Sequence, residues 1–185
     1  MKTSILSSIL ILTLLTSLSF ALEALSSREY QDANRLYAAG KFPDALVRYR
    51  QALATRPADR AAGDVQCRIG DIYFRMGDYP NALASYRNAL GDRSLRDRPQ
   101  TQYWVGFCCF LVGRDAEAVT ELLKVPTLYP DSKAWGSTSY YWAGRASERM
   151  GNKEQAAAFY RKAGGNGRST QGKFAMKKAE AVKGK

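Results

Sequence analysis

Residues 77–83 read Gly77-Asp78-Tyr79-Pro80-Asn81-Ala82-Leu83, and 37 positions earlier stands Gly40-Lys41-Phe42-Pro43-Asp44-Ala45-Leu46. Working outward from these two stretches, a glycine followed five residues later by an alanine recurs at Gly113/Ala118 and Gly151/Ala156. The glycine-to-glycine steps are 37, 36 and 38 residues. Seven positions before each glycine sits a small residue: Ala33, Gly70, Gly106 and Gly144. Four positions beyond each alanine comes a large one, Tyr49, Tyr86, Leu122 or Tyr160, and three further on Ala52, Ala89, Val125 or Ala163. Self-similarity at a fixed period of this length marks stacked supersecondary units.

The spacing predicts what each unit is. Apolar residues at i, i+3, i+4 and i+7 on both sides of the glycine describe two amphipathic helices joined by a tight turn. The glycine is placed to end the first helix in the left-handed conformation that other residues resist. The small residue seven positions earlier lets the helices approach, and the large residue of the second helix fills that contact. Breakers separate the units at Arg56-Pro57-Ala58-Asp59, Asp97-Arg98-Pro99, Tyr129-Pro130-Asp131-Ser132 and Gly164-Gly165-Asn166-Gly167.

This arrangement resembles the tetratricopeptide repeat, over about Ser26 to Ala163. The resemblance implies an all-α, right-handed superhelical solenoid of about four helix-turn-helix repeats, at residues 26–59, 63–96, 99–132 and 137–167. A basic capping helix and tail is expected over 168–185. Two departures stand out: Asp115 where the family carries an aromatic, and Leu122 where it carries a second-helix aromatic. A narrower similarity is carried by Tyr103-Trp104-Val105-Gly106, Gly113 to Ala118, Tyr129 to Lys133 and Tyr141-Trp142-Ala143-Gly144. It is to bacterial envelope repeat proteins in the style of the Tol–Pal-associated cell-division coordinator and the repeat lipoprotein of the β-barrel assembly machinery.

In this family the first helices line a concave groove that takes a protein or peptide segment. Carried onto this chain, the groove-facing offsets are Tyr30, Asn34 and Tyr37; Asp71, Phe74 and Arg75; Tyr103, Phe107 and Phe110; and Tyr141, Arg145 and Arg149. The aromatics offer rigid apolar area with polar edges, suited to an extended or helical peptide. Arg145 and Arg149, four apart on one helix face, are expected with Arg75 to hold a carboxylate or phosphate at one end. The alternative is that the aromatics pack against neighbouring helices and that Glu148 merely neutralises the two arginines.

The first residues read as an export leader: Lys2, an apolar stretch from Ile5 to Leu18, then Ser19-Phe20-Ala21 as a cleavage site. Residues 1–21 are therefore expected to be a signal peptide, with 22–167 as the solenoid and the mature protein periplasmic or extracellular. An uncleaved N-terminal anchor is the rival, since the apolar run is nearly long enough to span a bilayer. Export implies an oxidising compartment, so the three cysteines matter. Cys108 and Cys109 are adjacent and poorly placed to bridge each other; free buried thiols are expected, with a Cys67 bridge to either as the alternative.

The formal net charge is +11, and it is concentrated. From Arg161 to Lys185 there are eight bases against one acid, Glu180. Such an end suits an anionic partner such as lipid or cell wall, or is simply a solvated helix. The chain has no histidine, no nucleophile elbow, no phosphate-binding glycine loop and no acidic cluster at metal-ligand spacing. No enzymatic activity, cofactor, metal, small-molecule substrate or nucleic acid is expected. The expectation is an exported adaptor that binds a protein segment in its groove, in envelope assembly or division. The alternative is a surface-associating protein docked through its basic end.

Overall fold

The computed structural model describes residues 28–55, 61–165 and 170–183. The expected leader, residues 1–21, lies outside them. The described residues are all α. Residues 28–38 lie in the first helix, α1. It is followed by α2 (Phe42–Thr55), α3 (Ala62–Arg75), α4 (Tyr79–Gly91), α5 (Arg98–Leu111), α6 (Asp115–Leu128), α7 (Lys133–Arg149), α8 (Lys153–Gly164) and α9 (Thr170–Lys183). Four helix pairs and one further helix, α9, result among the described residues. No helix among the described residues is long and apolar enough to cross a membrane.

Each pair turns in the same way. Gly40, Gly77, Gly113 and Gly151 have φ of 72°, 77°, 81° and 80°. At the second turn the Gly77 amide donates to the Phe74 carbonyl (3.1 Å) and the Asp78 amide to the Tyr73 carbonyl (2.9 Å). The same two bonds recur in the other three pairs, for example Gly113 to Phe110 (3.2 Å) and Arg114 to Cys109 (2.9 Å). This is the Schellman arrangement, which satisfies carbonyls that the helix end leaves bare. The next helix then starts on a side-chain cap in α4, where Asp78 accepts from the Asn81 amide and Pro80 follows.

Packing within each pair follows the small and large columns. Tyr49, Tyr86, Leu122 and Tyr160 are at most 1% exposed. A β-carbon on Gly70 would lie 2.7 Å from the Tyr86 ring, and one on Gly144 2.8 Å from the Tyr160 ring. Ala45, Ala82, Ala118 and Ala156 are fully buried between helices. Successive pairs then stack, and α9 packs on α8 much as α7 packs on α6. The α2–α3 seam is the thinnest, and α5 also touches α7 directly, so the first helices of these neighbouring pairs share one face.

Ala175, Ala179 and Val182 of α9 are buried, with Ala179 and Val182 packed against Ala156 and Tyr160. Covering the open end of a helical stack is what makes it soluble there. Phe174 is 52% exposed, one position round the helix from the buried Ala175. Cys108 and Cys109 are fully buried, Cys67 is half-buried, and all three are free thiols.

Candidate protein-binding face

The face made by α1, α3, α5 and α7 carries a run of rings in contact. Phe74 lies 4.9 Å from Trp104 and 6.0 Å from Phe107 between ring centroids. Phe107 lies 4.5 Å from Trp142, and Trp142 lies 5.2 Å from Phe110. Tyr103 joins from one side, stacked on Phe107 at 5.7 Å and 5.1 Å from Trp135. Such offset and tilted pairs hold aromatic side chains in fixed orientation. Phe74, Trp104, Phe107 and Trp142 each remain partly exposed, so the run is both packed and accessible.

Tyr103 and Phe110, expected on the groove surface, are only 6% and 8% exposed. They form the floor that positions Phe107 and Trp142 rather than a contact surface. Trp104 and Trp142 were not among the expected site residues, although they occupy equivalent positions two residues before Gly106 and Gly144. That alignment was the signal available: one more column of the repeat, aromatic only in the third and fourth units.

Asn34 and Asp71 are tied to the partner helix. The Tyr49 hydroxyl donates to Asn34 Oδ1 (2.7 Å), and the Tyr86 hydroxyl donates to Asp71 Oδ1 (2.8 Å). These are the same two columns, fifteen residues apart, in the first and second repeats. In the third repeat the columns hold Phe107 and Leu122, so hydroxyl and acceptor are lost together. That joint replacement leaves no buried polar group without a partner there. In the fourth, the Tyr160 hydroxyl turns to Glu148 Oε2 (2.7 Å), and Arg145 takes the acceptor column. Burial pushes the Tyr86 and Tyr160 hydroxyls far above the ordinary phenol range. Burial also raises the Asp71 carboxyl, against the lowering effects of the Tyr86 hydrogen bond and of Arg68.

The three arginines do not form a common anion clamp. Arg75 donates to the Tyr37 hydroxyl (3.1 Å) and lies over the rings of Tyr37 (5.5 Å) and Phe42 (5.7 Å). Arg149 occupies the equivalent place two repeats on. It lies 4.0 Å over the Phe110 ring, donates to the Phe110 carbonyl (2.6 Å) and is ion-paired with Asp115. Tyr37 and Phe110 are equivalent positions, as are Phe42 and Asp115. Asp115 therefore replaces an aromatic without losing the contact: one arginine bridge rests on a ring in the first repeat and on a carboxylate in the third. Tyr30 packs on Tyr49 (6.1 Å), and Tyr141 contacts Tyr160 (5.6 Å) and Phe174 (6.1 Å).

Burial raises the Cys67, Cys108 and Cys109 thiols to about 11, 12 and 11 respectively. Among the described residues no group of His, Cys, Asp and Glu is placed to hold a metal ion.

Two sequence profiles described as tetratricopeptide repeat match residues 67–133 and 137–163. The chain belongs to the tetratricopeptide repeat family. Solved structures agree on the fold. A tetratricopeptide repeat protein from Parabacteroides merdae superposes with a TM-score of 0.74 at 17% identity, covering 87% of this chain and 61% of its own. The protein MamA superposes with a TM-score of 0.72 at 18% identity, covering 86% and 83%. The first tetratricopeptide domain of Spaghetti (RPAP3), solved with the HSP90 peptide SRMEEVD, gives 0.56 at 16%, covering 69% and 94%. The chain thus spans about three fifths of the Parabacteroides protein. No curated protein matches the sequence significantly. Tetratricopeptide folds are typically non-catalytic, and domains of this family bind proteins or peptides.

Proposed function

We propose that this tetratricopeptide protein is an exported, non-enzymatic adaptor that binds an extended or helical segment of a partner protein across the first-helix face. The observation that carries the reading is the partly exposed ring series Phe74, Trp104, Phe107 and Trp142. Aromatic residues held rigid by their neighbours are the side chains that dominate protein recognition, because they lose little freedom on binding. Export, and with it work in the cell envelope, rests on the leader-like residues 1–21.

The test uses the chain's own fluorophores. All three tryptophans, Trp104, Trp135 and Trp142, belong to or touch the ring cluster. Dodecapeptides selected from a random phage-displayed library are expected to shift tryptophan emission on binding. They should lose about tenfold or more in affinity against Trp142→Ala, with helical content unchanged by circular dichroism. Peptides that bind the variant as tightly as the wild type sink the reading. Export is checked by following the tagged full chain in a bacterial host, where retention of residues 1–21 in the cytosolic fraction counts against it.

A second reading has its own observation. On α9, Phe174 is exposed between Lys173 and Lys177, a pairing of apolar tip and basic flank that suits an anionic lipid surface. Co-sedimentation with vesicles containing anionic lipid, lost in Phe174→Ser, is its expected outcome.

A further inference from the structure

Resting on the groove reading, we infer that the end of the face between α7 and α9 is an acidic-residue subsite, which selects partner segments carrying an aspartate or glutamate beside their apolar anchor. A depression of about 240 Å³ lies there, lined by Phe110, Arg145, Glu148, Arg149 and Lys178. Three cations face it, and two are already engaged. Arg149 is held by Asp115 and by the Phe110 carbonyl. Lys178 lies 3.7 Å from Glu148 Oε2, the oxygen that also accepts from the Tyr160 hydroxyl.

Arg145 is different. Its guanidinium has no acid partner among the described residues and rests 5.8 Å over the Trp142 ring. It is half-buried, so its charge is less screened than that of a fully exposed arginine. With Asp115 and Glu148 counted against the three bases, the depression keeps one uncompensated positive charge. A guanidinium presents paired N–H donors that match a carboxylate.

Position makes this a part of the groove. Trp142 touches both Phe107 and Arg145, so the last ring of the series Phe74, Trp104, Phe107 and Trp142 stands beside the unpaired cation. A segment whose apolar side chain rests on Phe107 and Trp142 brings a nearby carboxylate over Arg145. The cap helix is then part of the site, since Lys178 comes from α9 and would trade its weak pairing with Glu148 for the incoming charge.

The test selects dodecapeptides from the random phage library on the full wild-type chain and on Arg145→Gln and Lys178→Gln. Wild type is expected to enrich apolar anchors with Asp or Glu a few residues away. The Arg145→Gln selection should keep the apolar anchors and lose the acidic bias. For a selected peptide, replacing its acid by the amide should weaken binding to wild type about tenfold, and to Arg145→Gln less than about threefold. Raising salt should close the gap between the two peptides. Anchored peptides without acidic bias, or a bias that persists in Arg145→Gln, overturn the subsite while the groove reading stands. Selection that enriches no peptide dependent on Trp142 overturns both.

Discussion

A β-carbon on Gly106 would stand 2.6 Å from Leu122 Cγ and 2.8 Å from the Leu122 backbone nitrogen. At the equivalent Gly70 and Gly144 the nearest atoms belong only to the rings of Tyr86 and Tyr160. The smaller leucine thus goes with a closer approach of α5 and α6, and backbone takes the place of a side chain that can yield. Gly106→Ala is expected to cost about 3 kcal/mol, and Gly70→Ala less, since a ring can tilt. Urea denaturation monitored by circular dichroism ranks the two. Equal costs would show that side-chain crowding alone sets the helix spacing.

Asp71 and Asn34 fill one column and accept the same tyrosine hydroxyl bond. Burial raises the Asp71 carboxyl above its ordinary value. The folded chain therefore holds that proton more tightly than the unfolded chain, and stability falls as pH climbs through the interval above the ordinary value. Asp71→Asn keeps the acceptor and removes the charge. Its melting temperature is expected to exceed wild type by about 2 °C at neutral pH, with the advantage shrinking as pH falls through that interval. An advantage that grows on acidification contradicts this.

Ser139 is fully buried and its hydroxyl has no hydrogen-bond partner. An unpaired buried hydroxyl costs about 1–3 kcal/mol relative to a satisfied one. Ser139→Ala removes the polar atom with little change of volume. It should stabilise the chain by about 1 kcal/mol, read as a higher midpoint in urea at unchanged slope. A clear loss of stability would mean that a bound water serves this hydroxyl.

The thiols, held near 11 to 12, are almost wholly protonated at pH 8. On the order of one in a thousand or fewer is thiolate, the reactive form. Native protein should react slowly with a disulfide reagent, Cys67 first because it alone is half-buried. All three should titrate at once in denaturant. Fewer than three thiols in denaturant would reveal a disulfide.

Asp115 and Phe42 both support an arginine from the following first helices. Asp115→Phe, which rebuilds the ring contact found under Arg75, is expected to cost less than about 1 kcal/mol. Asp115→Ala, which leaves Arg149 on the Phe110 ring alone, should cost more. Thermal melts of both variants decide the order.

The repeat, the glycine turns and the buried columns were all legible in the sequence, because they answer to local rules. A left-handed turn needs glycine, and a close helix contact needs a small residue opposite a large one, at spacings fixed by the helix period. The site was legible only as a set of offsets. What those offsets do depends on which side chains from separate repeats meet, and that is tertiary. Arg75 and Arg149 proved to be bridges between repeats because each reaches the turn of the preceding unit. Tyr103 and Phe110 became floor because Trp135 and Trp142 close over them. Arg145 stands beside a cap-helix lysine only because α9 folds back on α8. The period of the chain determined the scaffold. Burial and charge balance between its units, which no single repeat contains, decided which residues are left to face a partner.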